Sequence, residues 1–232
     1  MLTIRRSHER GGADLGWLQS RHTFSFGRYV DRAHMGFRSL RVMNEDRIAS
    51  SQGFDTHGHQ DMEIVTYVLE GALRHRDSLG TTAVLRAGEV QRMSAGTGIL
   101  HSEFNASSTQ PVHFYQIWIR PRSTGLAPSY EQRGFDREGR RNRWQLAVSP
   151  EGADGSLSIG QDASIRLGDL EAGRSLTLPT TVLRHAWLQV LRGSVAIGGE
   201  TMSTGDGAAI SEVADLEIAA GTASEIIVID LP

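Results

Sequence analysis

Short apolar or alternating runs, each closed by a glycine-bearing turn, fill this 232-residue chain, and helical periodicity is scarce. Alternation every second residue suits one face of a pleated strand. Many such runs at short spacing indicate an all-β sandwich or barrel. The clearest strands are Ser39 to Asn44, Glu63 to Leu69, Thr82 to Leu85, Val90 to Met93 and Val112 to Ile119. Further ones are Gln145 to Val148, Ser164 to Leu170, Ser175 to Leu178, Ala186 to Leu191, Ser194 to Ile197 and Glu225 to Asp230. Between them stand Glu70-Gly71, Ala87-Gly88, Ala172-Gly173, Arg192-Gly193, Gly198-Gly199 and Thr204-Gly205-Asp206-Gly207. Glycine there supplies the positive φ that tight hairpins need.

The two halves read as repeats. Tyr67-Val68-Leu69-Glu70-Gly71 is followed by a hairpin and then Leu85-Arg86-Ala87-Gly88-Glu89. Gln189-Val190-Leu191-Arg192-Gly193 is followed by a hairpin and then Met202-Ser203-Thr204-Gly205-Asp206. Such self-similarity means two copies of one β-barrel. Between the copies, Arg120 to Arg143 is rich in Arg, Pro and Gly and reads as a connector holding one short helical turn. The expected domains are residues 1–133 and 134–232.

Two short stretches carry the chemistry. In an extended strand, side chains two apart leave the same face, so His57 and His59 point together, as do His101 and Glu103. A lone strand histidine is more often a hydrogen-bonded core or surface residue than a ligand. The combination of His-x-His with His-x-Glu after the Gly-rich turn Ser94 to Leu100 favours a site for a divalent first-row metal. Either carboxylate, Glu63 or Glu103, would complete it: Glu63 shares parity with His57 and His59, and Glu103 comes from the opposite strand. The second half has no such set. Aligned on the glycines, Pro179 and Thr181 stand where His57 and His59 do, and Ile218 and Ala220 replace His101 and Glu103. The second barrel is expected to hold no metal.

Composition removes several alternatives. With no cysteine, disulfides, zinc-thiolate sites and thiol nucleophiles are excluded. All 24 basic residues are arginine, which excludes Schiff-base chemistry and a P-loop lysine. A formal net charge of -3 argues against a surface dominated by nucleic-acid binding. The cluster Arg137, Arg140, Arg141 and Arg143 is expected to be a solvated loop rather than a phosphate-binding patch. The N-terminus lacks a signal-peptide core, and no apolar run nears the roughly 20 residues of a membrane span. A cytoplasmic monomer is the expectation.

The same residues resemble the cupin superfamily. His57-x-His59-x3-Glu63 fits its first motif, with Gly71 off the usual spacing; Gly96 or Gly98 precedes His101, and Asn105 follows it by four. The departures are similar to the pirin family of bicupins. Its N-terminal signature is matched by His22-Thr23-Phe24-Ser25-Phe26-Gly27, His34-Met35-Gly36-Phe37 and Leu40 to Asp46. It continues with His57-Gly58-His59, His75 to Gly80, and Gly98-Ile99-Leu100-His101-Ser102-Glu103. The match spans roughly residues 15 to 120.

The resemblance implies two tandem cupin, or jelly-roll, β-barrels. It also implies one divalent metal on His57, His59, His101 and Glu103, with Glu63 a neighbour. Iron is the leading metal, with copper, manganese, nickel, cobalt and zinc as alternatives. The activity implied is that of a quercetin 2,3-dioxygenase. It opens the ring of a flavonol with O2 and loss of carbon monoxide, Glu103 serving as ligand and catalytic base. A metal-dependent regulator with a protein partner and a non-redox isomerase or lyase are the competing readings. His75 and Asp77 are candidates to support the ligands, or a plain hairpin. Phe24, Phe26, Met35 and Phe37 are core or a surface for a flat substrate; His113, Tyr115 and Trp118 are core or rim.

Overall fold

A computed structural model describes all residues, 1–232. The chain is almost wholly β, without an α-helix, and its 3-10 turns are three residues each. In chain order the strands are β1 (Leu2–Arg5), β2 (Gly11–Asp14), β3 (Leu18–His22), β4 (Leu40–Ile48), β5 (Gly53–His59) and β6 (Glu63–Glu70). Then come β7 (Ala72–Asp77), β8 (Thr82–Arg86), β9 (Glu89–Ser94), β10 (Ile99–Asn105), β11 (Val112–Ile119) and β12 (Ser129–Gly134). The rest are β13 (Trp144–Ser149), β14 (Leu157–Ser158), β15 (Ser164–Leu170), β16 (Ser175–Thr177) and β17 (His185–Arg192). The last are β18 (Ser194–Ile197), β19 (Glu200–Ser203), β20 (Gly207–Ser211), β21 (Glu217–Ala220) and β22 (Ser224–Leu231). No helix is long and apolar enough to cross a membrane.

Two compact units result: residues 11–134 with 157–161, and residues 1–10 with 135–156 and 162–232. The first, here the N-terminal barrel, pairs a large sheet ordered β12-β9-β6-β11-β4-β3-β2 with a small one ordered β5-β10-β7-β8. The C-terminal barrel repeats that plan, with β1-β20-β17-β22-β15-β13 in its large sheet and β16-β21-β18-β19 in its small one. The repeat extends to turn geometry. Gly71 and Gly193, each closing the strand before the hairpin, have φ of 75° and 82°, and Gly88 and Gly205 have 85° and 86°. A Cβ on Gly71 would meet the Pro111 carbonyl oxygen at 2.7 Å, and one on Gly193 would overlap that of Ala223.

The two interiors differ. The C-terminal barrel is filled by one apolar cluster running from Leu170 and Leu178 through Leu188, Val190 and Ile218 to Val228. In the N-terminal barrel, Leu18, Ile48, Val68, Leu73, Leu85, Val112 and Phe114 form one apolar layer. Ile64, Met93, Ala95 and Ile99 form another. Between them runs a polar row of direct cross-strand partners: His22 opposite Asn44, Asn44 opposite Gln116, Gln116 opposite Thr66, Thr66 opposite Gln91. All five are buried. Directly opposed residues share a face, so this row faces one interior. Burying so many amides and hydroxyls costs stability unless they have partners; an all-apolar filling would be the default.

The structure departs from the sequence-based expectations in four ways. Residues 157–161, expected in the second domain, group with the N-terminal barrel. Residues 1–10 group with the C-terminal barrel: Leu2 to Arg5 pairs with Ile210 to Gly207, and Leu2 and Ile4 pack on its apolar cluster. Four residues are too short a pattern to announce that pairing. Within the connector, Ser129 to Gly134 is a strand paired to β9. Arg140, expected in a solvated loop, is fully buried, with its guanidinium 3.0 Å from Glu225 and 3.2 Å from Asp169. A buried guanidinium requires such carboxylates, and they come from β15 and β22, which local composition does not reveal.

Candidate metal centre

The histidines meet because β5 and β10 are hydrogen-bonded neighbours. His101 lies opposite His57 and Ile99 opposite His59, and the pairing slips by one extra β5 residue before Glu103 reaches Phe54. Just past that bulge, where Gly53 pairs with Phe104, a Cβ on Gly53 would overlap the Glu103 carbonyl oxygen, so the close approach of the two strands needs glycine. On its other side β10 pairs with β7, His101 opposite Asp77 and Glu103 opposite His75.

Two groups of donor atoms form there. His57, His59 and His101 offer nitrogens that all lie within 4.8 Å of one another; so do the donors of His75, His101 and Glu103. His101 belongs to both. The first three rings stand 4.4 Å apart for His57 and His101 and 4.9 Å apart for the other two pairs. The structure thus brings the three predicted imidazoles into one cluster and puts Glu103 in an adjoining one.

Hydrogen bonding leaves the donor atoms bare. His57 Nδ1 donates to the Asp55 carbonyl oxygen at 2.8 Å, which frees Nε2 as a lone pair. Both ring nitrogens of His101 and Oε1 of Glu103 are buried without a hydrogen-bond partner. Orphaned buried polar atoms of that kind are rare in folded proteins and cost about 1–3 kcal/mol each unless something binds them. Burial, reinforced by the neighbouring histidines, pushes His101 down to about 3 and His59 down to about 4. Both rings are therefore neutral near pH 7, the state that ligates a metal. The donor set, nitrogen and oxygen with no sulfur, fits a divalent first-row ion.

Glu103 is held from the large sheet. Gln116 Nε2 donates to its Oε2 at 2.8 Å, and Trp118 Nε1 donates to Gln116 Oε1 at 3.2 Å. That chain of donors sets the amide orientation and leaves Oε1 as the free oxygen. Gln116 went unnoticed in the sequence; the cue is a polar residue interrupting the apolar run Val112 to Ile119. Glu63 takes no part in either cluster. Its expected shared parity with His57 and His59 fails because the strand breaks at Gln60 to Met62, where Asp61 has φ 48°. The Glu63 carboxylate instead accepts from Ser94 Oγ at 2.7 Å.

The remaining candidates separate by face. Phe24 is core. Phe26 packs edge-on to Trp118 at 5.4 Å, and Trp118 edge-on to His59 at 4.8 Å, so aromatic surface reaches the cluster. Met35 is exposed, Tyr115 is core, and His113 is bonded to Glu45 at 3.0 Å. Outside the cluster an open cavity of about 410 Å³ is lined by Gly58, His59, Gln60, Ser78, Gly98, Ile99 and Leu100. In the C-terminal barrel, Leu176 opposite Ile218 is the counterpart of His57 opposite His101. The glycine alignment placed Pro179 at that position, three residues away; hydrocarbon stands there in either register.

A barrel of this build with a histidine cluster between its β5 and β10 strands defines a cupin, and two in tandem define a bicupin. The chain belongs to the pirin family: the family model described as Pirin matches residues 3–119, and the one described as Quercetinase C-terminal cupin domain matches residues 146–231. It is 48% identical to the protein named quercetin 2,3-dioxygenase of Escherichia coli (strain K12), over 100% of this chain and 99% of that one. It is 39% identical to a pirin-like protein of Caulobacter vibrioides, over 99% of each. Among solved structures it matches the bacterial pirin YhhW from Escherichia coli in complex with nickel(II). The TM-score is 0.95 and the identity 47%, over 100% of this chain and 99% of that one.

Proposed function

We propose that this protein is a metal-dependent dioxygenase acting on flavonols such as quercetin, with one divalent ion held by His57, His59, His101 and Glu103. The observation that carries the reading is the convergence of orphaned nitrogens and a carboxylate oxygen in the buried interior. The full-length likeness to a protein named quercetin 2,3-dioxygenase supports it. Iron is the metal favoured, and when bound it supplies a Lewis acid and a partner for oxygen. Glu103 is the catalytic base: its free Oε1 receives the proton of the flavonol 3-hydroxyl, while the Gln116 amide keeps Oε2 an acceptor. The substrate's flat rings lie in the cavity beside His59, against Ile99 and Leu100. Phe26 and Trp118 shield His59 from water on the side of their edge contacts, backed by the apolar layer of Ile64, Met93, Ala95 and Ile99.

The test is an aerobic assay with quercetin on protein of measured metal content. Loss of flavonol absorbance in proportion to bound metal, abolished in Glu103→Gln while the fold persists, is the expected result. Full activity in Glu103→Gln removes the base. No loss with iron, copper, manganese, nickel or cobalt restored would favour a metal-dependent regulator over an enzyme.

A further inference from the structure

His75 approaches the cluster from the strand behind it, and several contacts fix its ring. Asp77 Oδ2 lies 2.8 Å from His75 Nε2, and both side chains are fully buried. The other Asp77 oxygen accepts the backbone N–H groups of Leu79 and Thr81, each at 3.0 Å, so the carboxylate is anchored. Tyr130 stacks on the imidazole at 4.7 Å and 28°, its own hydroxyl tied to Gln91 and Gln132. With two backbone N–H groups on one oxygen and the His75 ring on the other, the Asp77 carboxyl is built to accept on both sides. An ionised carboxylate only accepts. The His75 proton therefore sits on Nε2, and Nδ1 carries a lone pair.

That lone pair is buried and has no hydrogen-bond partner. His101 stands 5.4 Å away between ring centroids and in the same donor cluster. A neutral imidazole has one N–H and one lone pair, and neither nitrogen of His101 is bonded. Each ring holds what the other lacks.

We infer that Asp77 and His75 are positioning residues: His75 Nδ1 accepts the N–H of His101 and so presents the other His101 nitrogen to the ion. The inference rests on the metal reading above. Holding a ligand by its second nitrogen fixes its tautomer and direction and raises its basicity, and losing such a partner lowers metal affinity by about 10–100-fold.

Cobalt(II) titration of metal-free protein, with affinity from chelator competition, visible spectra and melting of the metal-free form, tests this. Asp77→Asn keeps an oxygen for Leu79 and Thr81 but turns an NH2 toward His75 Nε2, which drives the His75 proton to Nδ1 and removes the lone pair. His75→Phe removes it while keeping a ring against Tyr130, and decides alone if Asp77→Asn does not fold. The expected result is a fall of about 10–100-fold in cobalt affinity for both. Stoichiometry and band intensity would be those of wild type, and the metal-free melting midpoint would be retained. Unchanged affinity in a folded His75→Phe overturns the inference. So does a change of band intensity reporting altered coordination, since His75 would then be a ligand itself. Wild-type protein that takes up no cobalt would overturn the metal reading as well, and the two failures are thereby told apart.

Discussion

A single carboxyl in the N-terminal barrel carries a pH signature of its own. Burial pushes Asp46 up to about 7; a hydrogen bond from Ser20 works against that and the carboxylates of Glu103 and Glu45 add to it. The folded state thus binds this proton more tightly than the unfolded chain, whose aspartates titrate near about 3.9. Its contribution to stability is complete below about pH 4 and is lost as pH rises through about 7. Asp46→Asn can still accept from Ser20 and has nothing to ionise. Chemical denaturation of metal-free protein is expected to show the variant equal to wild type at pH 4. At pH 8 it should be more stable by on the order of 2–4 kcal/mol. An advantage that does not grow between those pH values would mean that Asp46 titrates normally.

At the level of strands, the centre depends on how closely β5 can approach β10. Gly53 and Gly88 make a controlled comparison. A methyl at Gly53 runs into the Glu103 carbonyl just past the bulge, whereas one at Gly88 meets nothing within 4 Å. Gly53→Ala is expected to push β5 outward, misplacing His57 and His59, and to lower metal affinity at least tenfold. Gly88→Ala carries only the strain of φ 85°, about 1 kcal/mol of stability, with affinity unchanged. Chelator competition and thermal melting of both variants check this, and equal affinities would separate the bulge from the site. Register also disposes of Glu63. The strand expected to carry it with His57 and His59 is two strands in two sheets, and the turn between them sends its carboxylate to Ser94.

For the whole chain, every donor cluster lies within residues 57–103, so one ion per polypeptide is the expected stoichiometry. Residues 1–6 contribute β1 to the other barrel, beside β20. Removing them should lower that barrel's melting transition, because the β20 edge and the apolar surface under Leu2 and Ile4 are uncovered. Cobalt uptake should stay at one per chain. Elemental analysis and calorimetry of the truncated protein would show it, and loss of the ion there would contradict the division of labour.

Alternation and glycine turns determined the β architecture and its duplication, because a strand's two faces and a tight hairpin's positive φ are local demands that each segment meets alone. His57 and His59 were legible as a pair for the same reason, their common face following from spacing. Partners across strands were not legible. Gln116 against Glu103, Arg140 among Asp169 and Glu225, and β1 beside β20 all join residues far apart in the chain. Which of them meet is set by strand order and by single-residue shifts such as the bulge between Phe54 and His57 and the turn at Asp61. Only the folded sheets decide those, since one residue of slippage turns every side chain of a strand to the opposite face.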